Sequence, residues 1–234
     1  EPSRGDIAIP MTLTMCDYLP FWRTFFNLLG FRTVLSGDTT RAMVESGLIH
    51  VPAEFCYPMK VLFGHVYDLG GKGFKRIFIP HLRFFNPPNE RSKRYACPYT
   101  QAAPYVVREN ISFDAEILTL EYPVEGENGF WIEHISKELD IPKDEIEKAF
   151  AAARDAQKRF SERCLEEGAK IIQRLSESGK RGAVLLGRPY NTTDRFVNLN
   201  LARRLKDQGI EPLPFDFLPM GSEPMPELWS RIRW

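Results

Sequence analysis

The chain has 234 residues, 43% of them apolar and 26% charged, with 31 Lys plus Arg balanced by 31 Asp plus Glu. At ~150 residues per domain this is roughly one and a half domains, enough to bury a core without staples, in the composition range of ordinary globular chains. Zero net charge argues against a dedicated nucleic-acid binder, which would be basic, and no apolar run reaches the ~18 residues that a membrane span needs.

The first segment, Glu1-Pro2-Ser3-Arg4-Gly5-Asp6, is neither a signal peptide nor an initiator Met, and points to a trimmed or excised piece. Residues 6–9 form a short apolar run closed by Pro10, the pattern of a buried strand. Residues 21–29 read as a helix stopped by Gly30. Residues 33–35 are a second strand, 40–46 a helix followed by Gly47, and 49–51 a third short strand. Met59, Leu62, Phe63, Val66 and Leu69 recur at helical spacing over 58–69. Residues 76–79 are a strand stopped by Pro80, 98–108 a helix and 116–120 a strand. Repeated strand–helix–strand order with short connections predicts an α/β fold, a doubly wound parallel sheet with helices on both faces.

From Pro142 the character changes. Asp144 and Glu145 stand near the positive end of a helix dipole. Ile146, Phe150, Ala153, Gln157, Phe160, Cys164 and Leu165, then Ile171, Ile172 and Leu175, form one stripe up to Ser178. This is one long amphipathic helix, or two joined near Gly168. Residues 183–186 are a buried strand, 198–208 a helix and 211–214 the start of another strand. Two strands do not make a stable sheet by themselves. Either they extend the first sheet or the natural chain continues. The apolar tail Leu228-Trp229-Ser230-Arg231-Ile232-Arg233-Trp234 favours the second. The predicted organisation is a first lobe over 1–127, a helical connector over 128–179 and the start of a second, truncated lobe over 180–234.

The cysteines are Cys16, Cys56, Cys97 and Cys164. None forms a CxxC pair, and a reduced, cytoplasmic setting is expected. Cys56-Tyr57-Pro58 and Cys97-Pro98 share one grammar: a cysteine, then a proline-opened helix. In an open parallel sheet ligands sit outside the carboxyl ends of the strands, and a helix amino terminus favours an anion. Two such cysteines could converge on one iron centre; they could equally be small buried hydrophobes. Cys164 lies on the helical stripe and reads as packing. Cys16 follows the first strand and could approach the same rim. His65 lies within the helix opened by Pro58, and His81 follows Pro80. His50 and His134 read as structural. Zinc spacings, GxSxG and GxxxxGK[ST] are all absent, so a nucleotide hydrolase has no local support. In Gly187-Arg188-Pro189-Tyr190 a tight, stiffened turn presents a cation and a hydroxyl. That set could hold a phosphate or carboxylate, or be an ordinary strand-to-helix turn.

Together, Asp6-Ile7-Ala8-Ile9-Pro10, Pro20-Phe21-Trp22 with Phe25-Phe26, Leu29-Gly30-Phe31, Val34-Leu35-Ser36, Glu54-Phe55-Cys56-Tyr57-Pro58 with Lys60, Gly64-His65, Tyr95-Ala96-Cys97-Pro98 and Gly187-Arg188-Pro189-Tyr190 resemble, in order, the domain of unknown function of CoA enzyme activases. Its members are also called 2-hydroxyacyl-CoA dehydratase activase-related proteins. The resemblance implies flavodoxin-like lobes and an iron–sulfur cluster of the 4Fe-4S type, with Cys56 and Cys97 as ligands. It implies a further ligand from a motif beyond Trp234. It also implies an ATP-hydrolysing activator as partner and a CoA thioester or similar substrate, with no nucleic acid and no membrane involved. Gly187, Arg188, Pro189 and Tyr190 would face the cofactor or substrate. Asn191 and Phe63 depart from the His usual at those places. The expected function is a redox module of an ATP-dependent reductase or dehydratase-activase system; the alternative is a cluster-free docking or small-molecule-binding module.

Overall fold

The computed structural model describes residues 3–85, 94–123 and 128–219. The tail at 228–234 lies outside the described residues, as do Glu1 and Pro2. Strand β1 spans Asp6–Ile9, the bounds predicted from sequence. Helix α1, Met15–Leu28, begins earlier than predicted and runs through Pro20. Strand β2 is Arg32–Leu35 and helix α2 is Arg41–His50. Thr40 caps α2, its Oγ1 accepting the Met43 N–H at 3.2 Å. The third strand expected at 49–51 does not form, because α2 continues through Gly47 to His50. Gly47 was read as a stop, but it is an approach point. A Cβ there would stand 1.9 Å from the Lys60 carbonyl oxygen on the next helix.

That helix is α3, Tyr57–Gly71. Strand β3 (Arg76–Phe78) follows, then a short hairpin of β4 (Phe84–Phe85) and β5 (Arg94–Tyr95) that the sequence reading missed. Helix α4 (Pro98–Asn110), strand β6 (Glu116–Leu118) and helix α5 (Asn128–Leu139) come next. Helix α6 is continuous over 36 residues, Lys143–Ser178, so Gly168 does not divide it. Strand β7 (Arg181–Leu185), the short helix α7 (Pro189–Thr193), helix α8 (Leu201–Asp207) and strand β8 (Ile210–Pro214) follow, then a 3-10 turn, Phe215–Phe217.

The main sheet has the order β2-β1-β3-β6 and every pairing is parallel. This is the doubly wound, flavodoxin-like arrangement expected from the strand–helix alternation. Side chains alternate across it as strand geometry requires. Ile7, Ile9, Phe78 and Leu118 face one core with α1, α5 and α6. Ala8, Ile77, Ile79 and Ile117 face the other, with α3 and α4. The first core is rich in aromatic edge-to-face contacts, among them Phe21 with Trp22 at 5.0 Å and Phe26 with Phe78 at 4.7 Å between ring centroids. Trp131, Ile135, Ile146, Phe150 and Ala153 are buried in this core. Helix α5 and the first half of α6 therefore pack as part of the main α/β layer.

Strands β7 and β8 pair in parallel as a sheet of their own; they do not extend the first. The second half of α6 carries this pair. At Gly168 the helix meets the 3-10 turn so closely that a Cβ would stand 1.8 Å from the Phe217 carbonyl oxygen. Among the described residues no helix is long and apolar enough to cross a membrane.

Candidate functional site

In a doubly wound sheet the connections that leave the strand carboxyl ends diverge at the switch point, here between β1 and β3. The loop after β1 holds Leu13 at φ 49°, a left-handed conformation unusual for a branched side chain. A small hollow beside it is lined by Pro10, Thr12, Leu62, Ile79, Thr100 and Ala103. Helices α1, α3 and α4 all open toward this rim.

Cys56 is the N-cap residue of α3 and Cys97 that of α4, each followed by proline within the first two helical positions. Cys56 is exposed and Cys97 half-buried. The turn after β7 reaches the same place. Arg188 caps α7, Pro189 opens it, and Tyr190 packs against the α3/α4 side of the core. The Tyr190 phenol is held above its ordinary pKa, first by burial. The Arg188 cation opposes this, and negative charge on Cys97, Cys56 and Asp17 adds to it. One phenol is thus within electrostatic reach of both thiols, of Arg188 and of Asp17. Gly187 is exposed, with Thr192 Cγ2 3.1 Å from where a Cβ would sit.

Asp17, in the first turn of α1, is pushed up to about 7 by burial and by the neighbouring Asp216 carboxylate, with Arg188 pulling the other way. Burial pushes the Cys16 thiol up to about 12. A hydrogen bond with Thr193 opposes this rise, and Asp17 and Asp194 reinforce it. Cys16 is therefore a protonated thiol at the same rim. Cys164 stands on α6 near Asp216, its pKa raised by burial.

The four histidines separate cleanly. His65 is fully buried, with Ser36 Oγ 2.7 Å from Nδ1 and Thr39 Oγ1 2.8 Å from Nε2. Burial lowers its pKa, against the pull of Asp194. His81 lies 3.4 Å from the Tyr105 hydroxyl and is also lowered, chiefly by burial. His50 stacks on Tyr67 and its Nδ1 donates to the Ser46 carbonyl at 2.8 Å. His134 is exposed on α5 beside Phe130.

Sequence reading gave no role to Ser36, Thr39, Asp17, Asp194 or Asp216. Ser36 closes the Val34-Leu35-Ser36 segment, and the other four are single polar residues outside any motif. The one signal was position: Ser36 follows β2, Asp17 follows the β1 loop, and Asp194 follows the Gly-Arg-Pro-Tyr turn. Among the described residues no three His, Cys, Asp or Glu side chains are grouped as a metal site would require.

Fold and rim together define a doubly wound α/β protein with two cysteines at helix N-cap positions and an Arg-Pro-Tyr turn brought in by a second strand pair. The chain belongs to the family of the CoA enzyme activase uncharacterised domain, whose family model matches residues 6–218. No curated protein and no solved structure matches it.

Proposed function

We propose that this chain is the thiol-bearing part of an iron–sulfur redox module in an ATP-dependent system that activates an enzyme of CoA thioesters. One observation carries the reading: Cys56 and Cys97 hold the N-cap positions of separate proline-opened helices at the same sheet rim, and Tyr190 packs against the core that those helices build. The donors are of the right type, since soft thiolates suit iron. They are two, so the remaining ligands would come from outside the described residues or from another subunit. When bound, such a cluster supplies one-electron transfer. The protein's own part is to set its surroundings. Arg188 brings positive charge to an anionic centre, and the protonated Tyr190 phenol offers a hydrogen-bond donor. The family's description, a CoA enzyme activase domain, supports an enzyme of CoA chemistry as the partner; an ATP-hydrolysing activator as electron donor and a CoA thioester as final substrate complete the proposal.

Anaerobic purification of the full-length protein, followed by iron and sulfide assays, tests this. The expected result is about four iron per cluster, lost in the double variant Cys56→Ser, Cys97→Ser. Loading below about one iron per chain, or loading unchanged in the double variant, overturns it. The lack of a third ligand among the described residues favours one rival, a metal-free docking module for the activator. That rival predicts partner binding and activity untouched by the same double substitution.

A further inference from the structure

Ser36, Thr39, His65 and Asp194 come from three stretches of chain and meet in one hydrogen-bonded line. Its direction follows from the protons available. A carboxylate only accepts, so the Thr39 hydroxyl must donate to Asp194 Oδ2. Thr39 Oγ1 has no second hydrogen, so it accepts from His65 Nε2, 2.8 Å away. The neutral ring then keeps its lone pair on Nδ1, which accepts the Ser36 hydroxyl at 2.7 Å. Ser36 Oγ in turn accepts the Met11 N–H at 2.8 Å. The other Asp194 oxygen, Oδ1, accepts the N–H groups of Phe196 and Val197 at 2.9 and 3.0 Å. Every atom in the line has one role, and the charge on Asp194 sets the order.

The line also joins two parts of the fold. Ser36 and Thr39 lie in the loop that follows β2, and His65 lies on α3. Asp194 is the C-cap of α7, four residues beyond Tyr190. We infer that Asp194 and His65 are positioning residues: through Thr39 they latch α7 to the main sheet and so hold Arg188 and Tyr190 over Cys56 and Cys97. This does not depend on what the thiols bind. His65 has no access to solvent and touches no substrate; its part is to fix one tautomer and hence one arrangement of the line.

The test uses Asp194→Asn in the full-length protein. Asn keeps its oxygen on the Phe196 and Val197 amides, so its NH2 group turns to Thr39. The Thr39 hydroxyl hydrogen, no longer held by a carboxylate, is released to Nε2, and the imidazole proton moves to Nδ1, where Ser36 Oγ accepts it. Nitrogen NMR on 15N-histidine-labelled protein reads this directly, with His65 assigned by its loss in His65→Gln. Wild type is expected to carry the proton on Nε2, and Asp194→Asn on Nδ1. Amide hydrogen exchange gives the second readout. Thr39→Val removes the latch and is expected to speed exchange across residues 190–198 about tenfold, the effect of losing one charge-assisted hydrogen bond. Thr39→Ser restores the slow rate. A wild-type ring protonated on Nδ1 overturns the inference, as does exchange unchanged in both Thr39→Val and Asp194→Asn. Neither readout involves iron, so these outcomes are separate from those of the cluster test.

Discussion

Gln157 on α6 repairs the break that Pro20 makes in α1. The Phe21 N–H donates to Gln157 Oε1 at 3.3 Å, and Gln157 Nε2 donates to the Asp17 carbonyl at 2.9 Å. These are the two backbone groups that an uninterrupted α-helix pairs with each other. Proline disturbs the ladder at this turn, and one amide side chain from a helix far along the chain serves both groups. The aromatic side chains that follow, Phe21, Trp22, Phe25 and Phe26, are all fully buried. Their burial offsets the proline, and Gln157 removes the polar cost.

Gln157→Leu should therefore destabilise the protein by about 1–3 kcal/mol, the range for a buried polar group left without its partner. Pro20→Ala should shrink that cost, because α1 regains its own Phe21-to-Asp17 bond. A double-mutant cycle by urea unfolding measures the coupling. Strictly additive effects would show that Gln157 and Pro20 are unrelated.

Gly47 and Gly64 hold α2 against α3 with no side chain between them. A Cβ on Gly64 would stand 2.0 Å from the Met43 carbonyl oxygen, and one on Gly47 just as close to that of Lys60. Alanine in a helix normally gains about 1 kcal/mol over glycine. Here the backbone must move instead, so Gly64→Ala and Gly47→Ala should each lose about 2–4 kcal/mol, the overpacking range and above. Denaturant midpoints read the loss. Stabilisation by alanine would mean that the helices stand further apart than described.

These glycines show where sequence reading ended. Helix α3 and strand β1 were legible because periodicity and proline mark them without reference to anything distant. Parallel order followed from alternation. The N-cap positions of Cys56 and Cys97 were legible because a cysteine before a proline-opened helix is a local pattern. Gly47 was misread because a glycine that stops a helix and one that admits another helix look alike; the partner that distinguishes them, Lys60, is on α3. Pro20 hid the first turn of α1, since nothing local reveals Gln157. Thr39 and Asp194 stand 155 positions apart, and only the return of the chain along α6 brings them together. Local chemistry was readable, and chemistry assembled by the fold was not.

The boundary at residue 127 has a direct test in Trp131. It is buried on α5, packs on Phe25 and Phe150 at 5.5 and 5.0 Å between centroids, and donates from Nε1 to the Glu121 carbonyl at 2.6 Å. Trp131→Ala should lose about 3–5 kcal/mol, as large aromatic truncations in a core do. The unfolding of the main sheet should move with it, monitored by the far-ultraviolet signal. A main-sheet transition untouched by the substitution would make α5 a separate unit.

Asp17 makes stability depend on pH in an unusual direction for a carboxylate. Its folded pKa is raised to about 7 by burial first and by Asp216 second, whereas an unfolded aspartate titrates near ~4. Below both values each state holds the proton and the group contributes nothing. Between them the folded protein alone binds the proton, so stability falls as pH rises. Above 7 the penalty is complete. Asp17→Asn removes it and should be more stable than wild type at pH 8, by about 4 kcal/mol at most, since a tenfold change in proton affinity is about 1.4 kcal/mol. The two proteins should converge toward pH 4. Gly168→Ala provides the structural control. It forces the 3-10 turn that carries Asp216 to move off α6; with Asp216 displaced from Asp17 the fall in stability is expected at lower pH than in wild type. Chemical unfolding across pH measures both; a gap between wild type and Asp17→Asn that stays constant from pH 5 to pH 8 would show that Asp17 titrates as an ordinary surface acid.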